Sequence, residues 1–120
     1  MSAQPPSKLA PHKLALCKLD DIDDGESAAL VTELDGQRTS IIAVRQADNI
    51  TLYVNSCPHI LAPLDFMPGH FLTPEKDMIL CSTHGALFRI EDGECVQGPC
   101  IGKHLTPISC VVREGHVWLD

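Results

Sequence analysis

A chain of 120 residues, 44% of them hydrophobic, is long enough to form one domain with a real core. Its formal charge of -7 argues against a nucleic-acid partner, because a phosphate backbone needs a basic footprint. No stretch reaches the roughly eighteen apolar residues of a membrane span, and residues 1–8 hold no apolar run to act as a signal sequence.

The expected location is therefore the cytoplasm. Thiols stay reduced there, so the six cysteines are expected to be ligands or core residues rather than disulfides. Residues 1–11 hold three of the nine prolines and little that could pack, which predicts a mobile tail before a single domain over 12–120. From His12 onward the pattern is short and β-like. Apolar residues alternate at Leu14 and Leu16, at Ile50, Leu52 and Val54, at Ile108, Cys110 and Val112, and at Val117 and Leu119. Period two marks half-buried strands, and the continuous run Ile41-Ile42-Ala43-Val44 reads as another strand. Asp24-Gly25, Asp35-Gly36, Asp48-Asn49, Asp92-Gly93 and Glu114-Gly115 supply turn signals between them. No segment carries a long 3.6-residue period, so the expected fold is all-β, an antiparallel sandwich or small barrel. Residues 56–90 read as an insertion between strands, where Pro58, Pro63, Pro68 and Pro74 oppose regular helix or central strand. Within it, residues 65–77 are expected to mix loop with one helical turn.

Two short motifs in that insertion carry chemistry. Cys57-Pro58-His59 and Cys81-Ser82-Thr83-His84-Gly85 each offer one thiolate and one imidazole, with twenty-one residues between His59 and Cys81. In an extended backbone, residues two apart point to one side, so Cys57 and His59 can address one site. Pro58 stiffens that loop, and Gly85 is expected to stand where a bulkier residue would collide with a bound cluster or the opposite loop. Two such loops folded together give two sulfur and two nitrogen donors. That set suits a Rieske [2Fe–2S] centre, in which two histidines replace two cysteines on one iron. It also suits tetrahedral zinc, although structural zinc motifs usually begin Cys-x-x-Cys or similar.

The segment from Cys57 to Phe88, with both motifs in order, resembles a Rieske-type ferredoxin. The tract Asp92-Gly93-Glu94-Cys95-Val96-Gln97-Gly98-Pro99-Cys100 is similar to that family's third loop, which closes over the cluster with a proline. Leu105-Thr106-Pro107-Ile108 and Gly115-His116-Val117-Trp118-Leu119 are similar to its last hairpin, so the resemblance covers roughly residues 13–120. It implies three antiparallel sheets, with a cluster-binding part at about 56–96 inserted in a base domain. It implies one [2Fe–2S] cluster, with Cys57 and Cys81 on one iron and His59 and His84 on the other. The histidine edges would then be the electron port. With no catalytic residues expected, the resemblance implies a soluble, monomeric electron carrier between an NAD(P)H-dependent reductase and a terminal oxygenase. The alternatives are the small subunit of a nitrite-reductase-like complex, many of which lack these ligands, and a zinc-binding interaction module. An oxygenase α subunit would append a mononuclear iron domain, for which the sequence has no room.

Departures from the family pattern also inform. The respiratory branch adds a cysteine to each loop and bridges them, where this chain has Ala62 and Thr83. That branch also places hydroxyl donors after the second motif, where this chain has Ala86 and Phe88. Fewer donors to sulfur leave the reduced cluster less stabilised, so a midpoint near the low end of the Rieske range, about −150 mV, is expected. Cys17 and Cys110 are expected to be core fillers, and Cys95 and Cys100 free thiols packed under the third loop rather than a disulfide. His12, His70, His104 and His116 are expected to face solvent. Ile60, Leu61, Pro63 and Leu87 form either an apolar docking rim or loop packing. Asp20-Asp21-Ile22-Asp23-Asp24 reads as a solvated loop that a partner's basic patch could also use.

Overall fold

The computed structural model describes residues 15–58, 63–65, 69–81 and 85–119. The expected tail and His12 lie outside them. Within the described residues ten strands follow one another: β1 (Ala15–Lys18), β2 (Ser27–Leu34), β3 (Gln37–Gln46), β4 (Asn49–Val54), β5 (Met78–Cys81), β6 (Ala86–Arg89), β7 (Cys95–Gln97), β8 (Pro107–Ile108), β9 (Cys110–Arg113) and β10 (His116–Leu119). Among the described residues they form three antiparallel sheets, in the orders β1-β10-β9, β2-β3-β4-β8 and β5-β6-β7. The only helical element among them is one 3₁₀ turn, Leu19–Asp21, and no described helix is long and apolar enough to cross a membrane.

The run Ile41-Ile42-Ala43-Val44 explains the layering. Ile41, Ile42 and Ala43 are 0% exposed and Val44 1%, so β3 is buried on both faces. On one face Ile41, Ala43 and Leu52 join Ile22, Leu16, Ile108 and Leu119, which joins the central sheet to β1-β10-β9. On the other face Ile42, Val44 and Tyr53 join Phe71, Ile79 and Phe88, which joins it to β5-β6-β7. Each fully buried Phe, Ile or Leu contributes about 1.5–3 kcal/mol by leaving water. Sequence alternation alone gives Leu52 as the inward residue of β4; its neighbour Tyr53 is equally buried because β4 also has core on both sides.

Hairpin β2–β3 turns at Asp35-Gly36, and β9–β10 at Glu114-Gly115, as their residues dictate. The β3–β4 turn falls one residue earlier than expected. Gln46 pairs with Asn49, leaving Ala47-Asp48 as the turn, with Ala47 at φ 57. Two bonds hold that unfavourable backbone: the Ala47 N–H donates to Asp24 Oδ1 at 2.7 Å, and Arg45 Nε donates to the Ala47 carbonyl at 2.7 Å. The expected solvated acidic loop is thus partly structural. Its Asp21 accepts from the Lys18 N–H at 2.9 Å, and Ile22 within it is buried.

Residues 56–90 supply two of the three strands of the sheet β5-β6-β7, although their prolines predicted irregular chain. Strands β5 and β6 lie beyond Pro74, the last of the four prolines, so nothing prevents their pairing from Met78↔Arg89 to Cys81↔Ala86. The helical turn expected within 65–77 is absent among the described residues there. Phe71 and Thr73 instead run beside β5: the Leu80 N–H donates to the Phe71 carbonyl at 2.7 Å and the Thr73 N–H to the Met78 carbonyl at 3.0 Å. Alternate burial of Phe71 and Thr73 selects the extended form.

Candidate functional site

Cys57 follows the end of β4 after two residues, and Cys81 is the last residue of β5. Both are 0% exposed and belong to one apolar cluster with Leu64, Phe71, Ile79, Phe88 and Leu105. The fold therefore brings the two motif cysteines into a common core. His59 and His84 lie outside the described residues, as do Ile60, Leu61, Ala62 and Thr83.

The first motif is anchored by Asn55, which sequence reasoning missed. Its Oδ1 accepts from the Leu64 N–H at 2.8 Å, and its Nδ2 donates to Asp65 Oδ1 at 3.0 Å and Ser40 Oγ at 3.2 Å. Asp65 Oδ2 accepts in turn from the Gly69 N–H at 3.0 Å, and Ser27 Oγ donates to the Gly69 carbonyl at 2.8 Å. One buried amide thus ties the chain before Cys57 to the chain beyond the motif. The signal in the sequence was slight: an amide immediately after an alternating strand.

The second motif occupies the turn between β5 and β6. Cys81 pairs with Ala86, and the Gly85 N–H donates back to the Cys81 carbonyl at 2.9 Å. Gly85 has φ 70, and a Cβ placed there meets no described atom within 4 Å. Among these residues its requirement is conformational; the expected crowding, against a bound cluster or the opposite loop, falls outside them. Crowding occurs at Gly98, at φ 107, where a Cβ would stand 2.8 Å from the Ala86 Cα. The third loop thus rests its backbone on the residue next to the second motif.

Under that loop Cys95 and Cys100 are buried free thiols, as expected, and share the core cluster with Cys57 and Cys81. Burial pushes the Cys100 thiol well up from its ordinary range, and its hydrogen bond to Cys95 adds to the effect, so it is neutral near pH 7. The other side chains complete the inventory. Cys17 and Cys110 are half-buried, Cys110 packed as expected against the cluster of Ile41, Ala43 and Leu52, and burial followed by Asp21 raises the Cys17 thiol. His70 and His104 are exposed as expected; His116 is half-buried, its ring centroid 6.2 Å from that of Trp118. Pro63 is exposed and Leu87 half-buried. At the β6–β7 turn, a hydrogen bond from the Glu94 N–H and then the Arg89 guanidinium hold the Asp92 carboxyl below the usual range.

A family model described as the Rieske [2Fe-2S] domain matches residues 12–112. Comparison with curated proteins gives no significant match. Among solved structures, the ferredoxin of carbazole 1,9a-dioxygenase from Nocardioides aromaticivorans IC177 is 23% identical with a TM-score of 0.70, covering 90% of this chain and 96% of that one. The Sphingomonas yanoikuyae B1 ferredoxin is 23% identical with a TM-score of 0.68, covering 90% and 97%. A chain from a complex of reduced oxygenase and oxidized ferredoxin in carbazole 1,9a-dioxygenase is 22% identical with a TM-score of 0.69, covering 92% and 94%. These structural likenesses establish a shared fold.

Proposed function

Given that the chain belongs to the Rieske [2Fe–2S] domain family, we propose that it is a one-electron carrier whose cluster is held by Cys57, His59, Cys81 and His84. It takes electrons from an NAD(P)H-dependent reductase and passes them to a terminal oxygenase. It works as a monomer in the cytoplasm, and residues 12–120 form one domain with the cluster-binding part at about 56–96. The observation that carries this reading is the family match spanning both motifs, together with the full burial of Cys57 and Cys81 in one cluster. The oxygenase partner is supported by the fold shared with a chain from an oxygenase–ferredoxin complex.

The donor set fits the group. Thiolates are soft donors suited to iron–sulfur clusters and imidazole binds iron well, while replacing two thiolates by neutral rings makes the bound cluster easier to reduce. The cluster supplies reversible one-electron storage. The chain's own residues do the rest. Leu64, Phe71 and Phe88 exclude water behind Cys57 and Cys81, Asn55 fixes the approach to the first motif, and Gly98 seats the third loop on Ala86.

Electron paramagnetic resonance of the dithionite-reduced protein tests the proposal. Mixed ligation gives an average g value clearly below that of all-cysteine clusters. A colourless protein with one equivalent of zinc would replace this reading with a zinc module. Alanine at each of Cys57, His59, Cys81 and His84 should abolish iron binding, and a variant that keeps iron and an unchanged spectrum removes that residue from the set.

A further inference from the structure

We propose that Cys95 and Cys100 form a dithiol–disulfide couple, a modification site outside the cluster ligand set, which closes on exposure to hydrogen peroxide. The backbone organises the pair. The Cys95 N–H donates to the Lys103 carbonyl at 2.8 Å, the Gly102 N–H donates to the Cys95 carbonyl at 3.3 Å, and the Lys103 N–H donates to the Cys100 carbonyl at 2.9 Å. These bonds close residues 95–103 into a loop that returns Cys100 onto Cys95, with the two sulfurs 3.0 Å apart. That separation is shorter than sulfurs merely in contact and longer than the ~2.05 Å of a disulfide. A closure of about 1 Å is within reach of side-chain rotation.

The loop cannot readily carry the thiols apart, because Gly98 lies against the backbone of Ala86. Two isolated cysteines in a core would serve as small apolar fillers. Here one thiol donates to the other, and the second contacts the Gln97 carbonyl at 3.3 Å. Both cysteines are 1% exposed. A bulky disulfide reagent is therefore excluded, and hydrogen peroxide reacts slowly, on transient opening of the loop, because burial keeps the Cys100 thiol neutral. In the reaction both S–H bonds and the O–O bond of hydrogen peroxide break, and one S–S bond forms. The two sulfurs together give two electrons to peroxide, and both protons leave in two molecules of water. The cross-link joins the base of the third loop to its tip and so fixes the segment resting on Ala86.

Trypsin supplies a clean readout. Cleavage after Arg89 and Lys103 releases peptide 90–103, which contains Cys95, Cys100 and no other cysteine; Cys57 and Cys81 fall in separate peptides. The full-length, cluster-loaded protein is treated with a small excess of hydrogen peroxide, then denatured in N-ethylmaleimide, digested and weighed. The larger part of peptide 90–103 should be unalkylated and two hydrogens lighter, and dithiothreitol should restore the doubly alkylated form. In Cys95→Ser the same peptide should lose no hydrogens. Double alkylation after peroxide, conversion to sulfinic or sulfonic acid, or cross-links to the Cys57 or Cys81 peptides would each overturn the proposal. The mass is read on this peptide alone, so the result is independent of which residues hold the cluster.

Discussion

Asn55 shows how much depends on one side chain. Among the described residues it is, with Thr73, one of two buried polar residues apart from the cysteines, and it satisfies partners on both sides of the first motif. Asn55→Ala leaves the buried Leu64 N–H without its acceptor, which costs about 1–3 kcal/mol. The expected outcome is a lower urea midpoint together with faster loss of the cluster absorbance. Asn55→Asp should not rescue it, because a second carboxylate would then stand where the amide now meets Asp65 at 3.0 Å. Wild-type cluster retention in either variant would remove Asn55 from the anchor. At Ala86 the question is electronic. Its methyl is fully buried beside the second motif, where the family's respiratory branch carries a hydroxyl. Ala86→Ser should raise the midpoint potential, since a donor near the cluster sulfurs stabilises the reduced charge. A voltammetric midpoint that stays put or falls would refute that account, as would a wild-type midpoint well above zero.

Sheets meet through single residues that no periodicity announces. Tyr53 on β4 donates its hydroxyl to the Ile90 carbonyl at 2.7 Å, pinning the β6–β7 turn to the central sheet, and its ring lies where a Cβ on Gly93 would come within 2.8 Å. Tyr53→Phe leaves that carbonyl unpaired and should cost about 1–2 kcal/mol at neutral pH. Burial, with Asp92 and Glu91 adding, pushes the Tyr53 phenol up from 10.0 to about 12. Below pH 10 both folded and unfolded chains keep the proton and the contribution is whole. Between there and about 12 the unfolded chain has lost it while the fold retains it, so stability falls across that window. Tyr53 is the single tyrosine, so urea midpoints of wild type and Tyr53→Phe should converge as pH rises through it. Parallel curves would show that the phenol is not held neutral. Strands buried on one face are legible in sequence because burial imposes a period of two, and doubly buried ones because they leave a continuous apolar run, as at Ile41-Ile42-Ala43-Val44. The short strands β5 and β7 are not: Met78-Ile79-Leu80-Cys81 is an apolar run without alternation, and Cys95-Val96-Gln97 is only three residues. In the candidate site the order and spacing of Cys57 and Cys81 are readable, since metal donors must be of particular types. The roles of Asn55 and Tyr53 are not, since each depends on a backbone atom that only the fold brings near. The meeting of Cys95 with Cys100 likewise follows from backbone closure at Lys103.

The whole molecule is acidic, and that bears on how a carrier finds its partners. Sixteen acidic residues face nine basic ones, and the described ion pairs Arg45–Asp20, Lys76–Glu26 and Arg89–Asp92 leave the surplus unbalanced. Those pairs are largely exposed and add little stability, so the surplus matters more for encounter than for the fold. A redox contact is small and short-lived, and its rate is set largely by how often the partners meet in a productive orientation. Opposite charge raises that frequency at low salt; at 1 M the screening length shrinks to about 3 Å and the advantage disappears. Stopped-flow oxidation of the reduced protein by a cationic and an anionic metal complex separates charge from any partner's shape. The cationic oxidant should react faster relative to its driving force at low ionic strength and slow as salt is added, while the anionic one should speed up, until the two converge. If neither rate responds to salt, the acidic surplus lies away from the electron port, and docking there must rest on apolar contact alone.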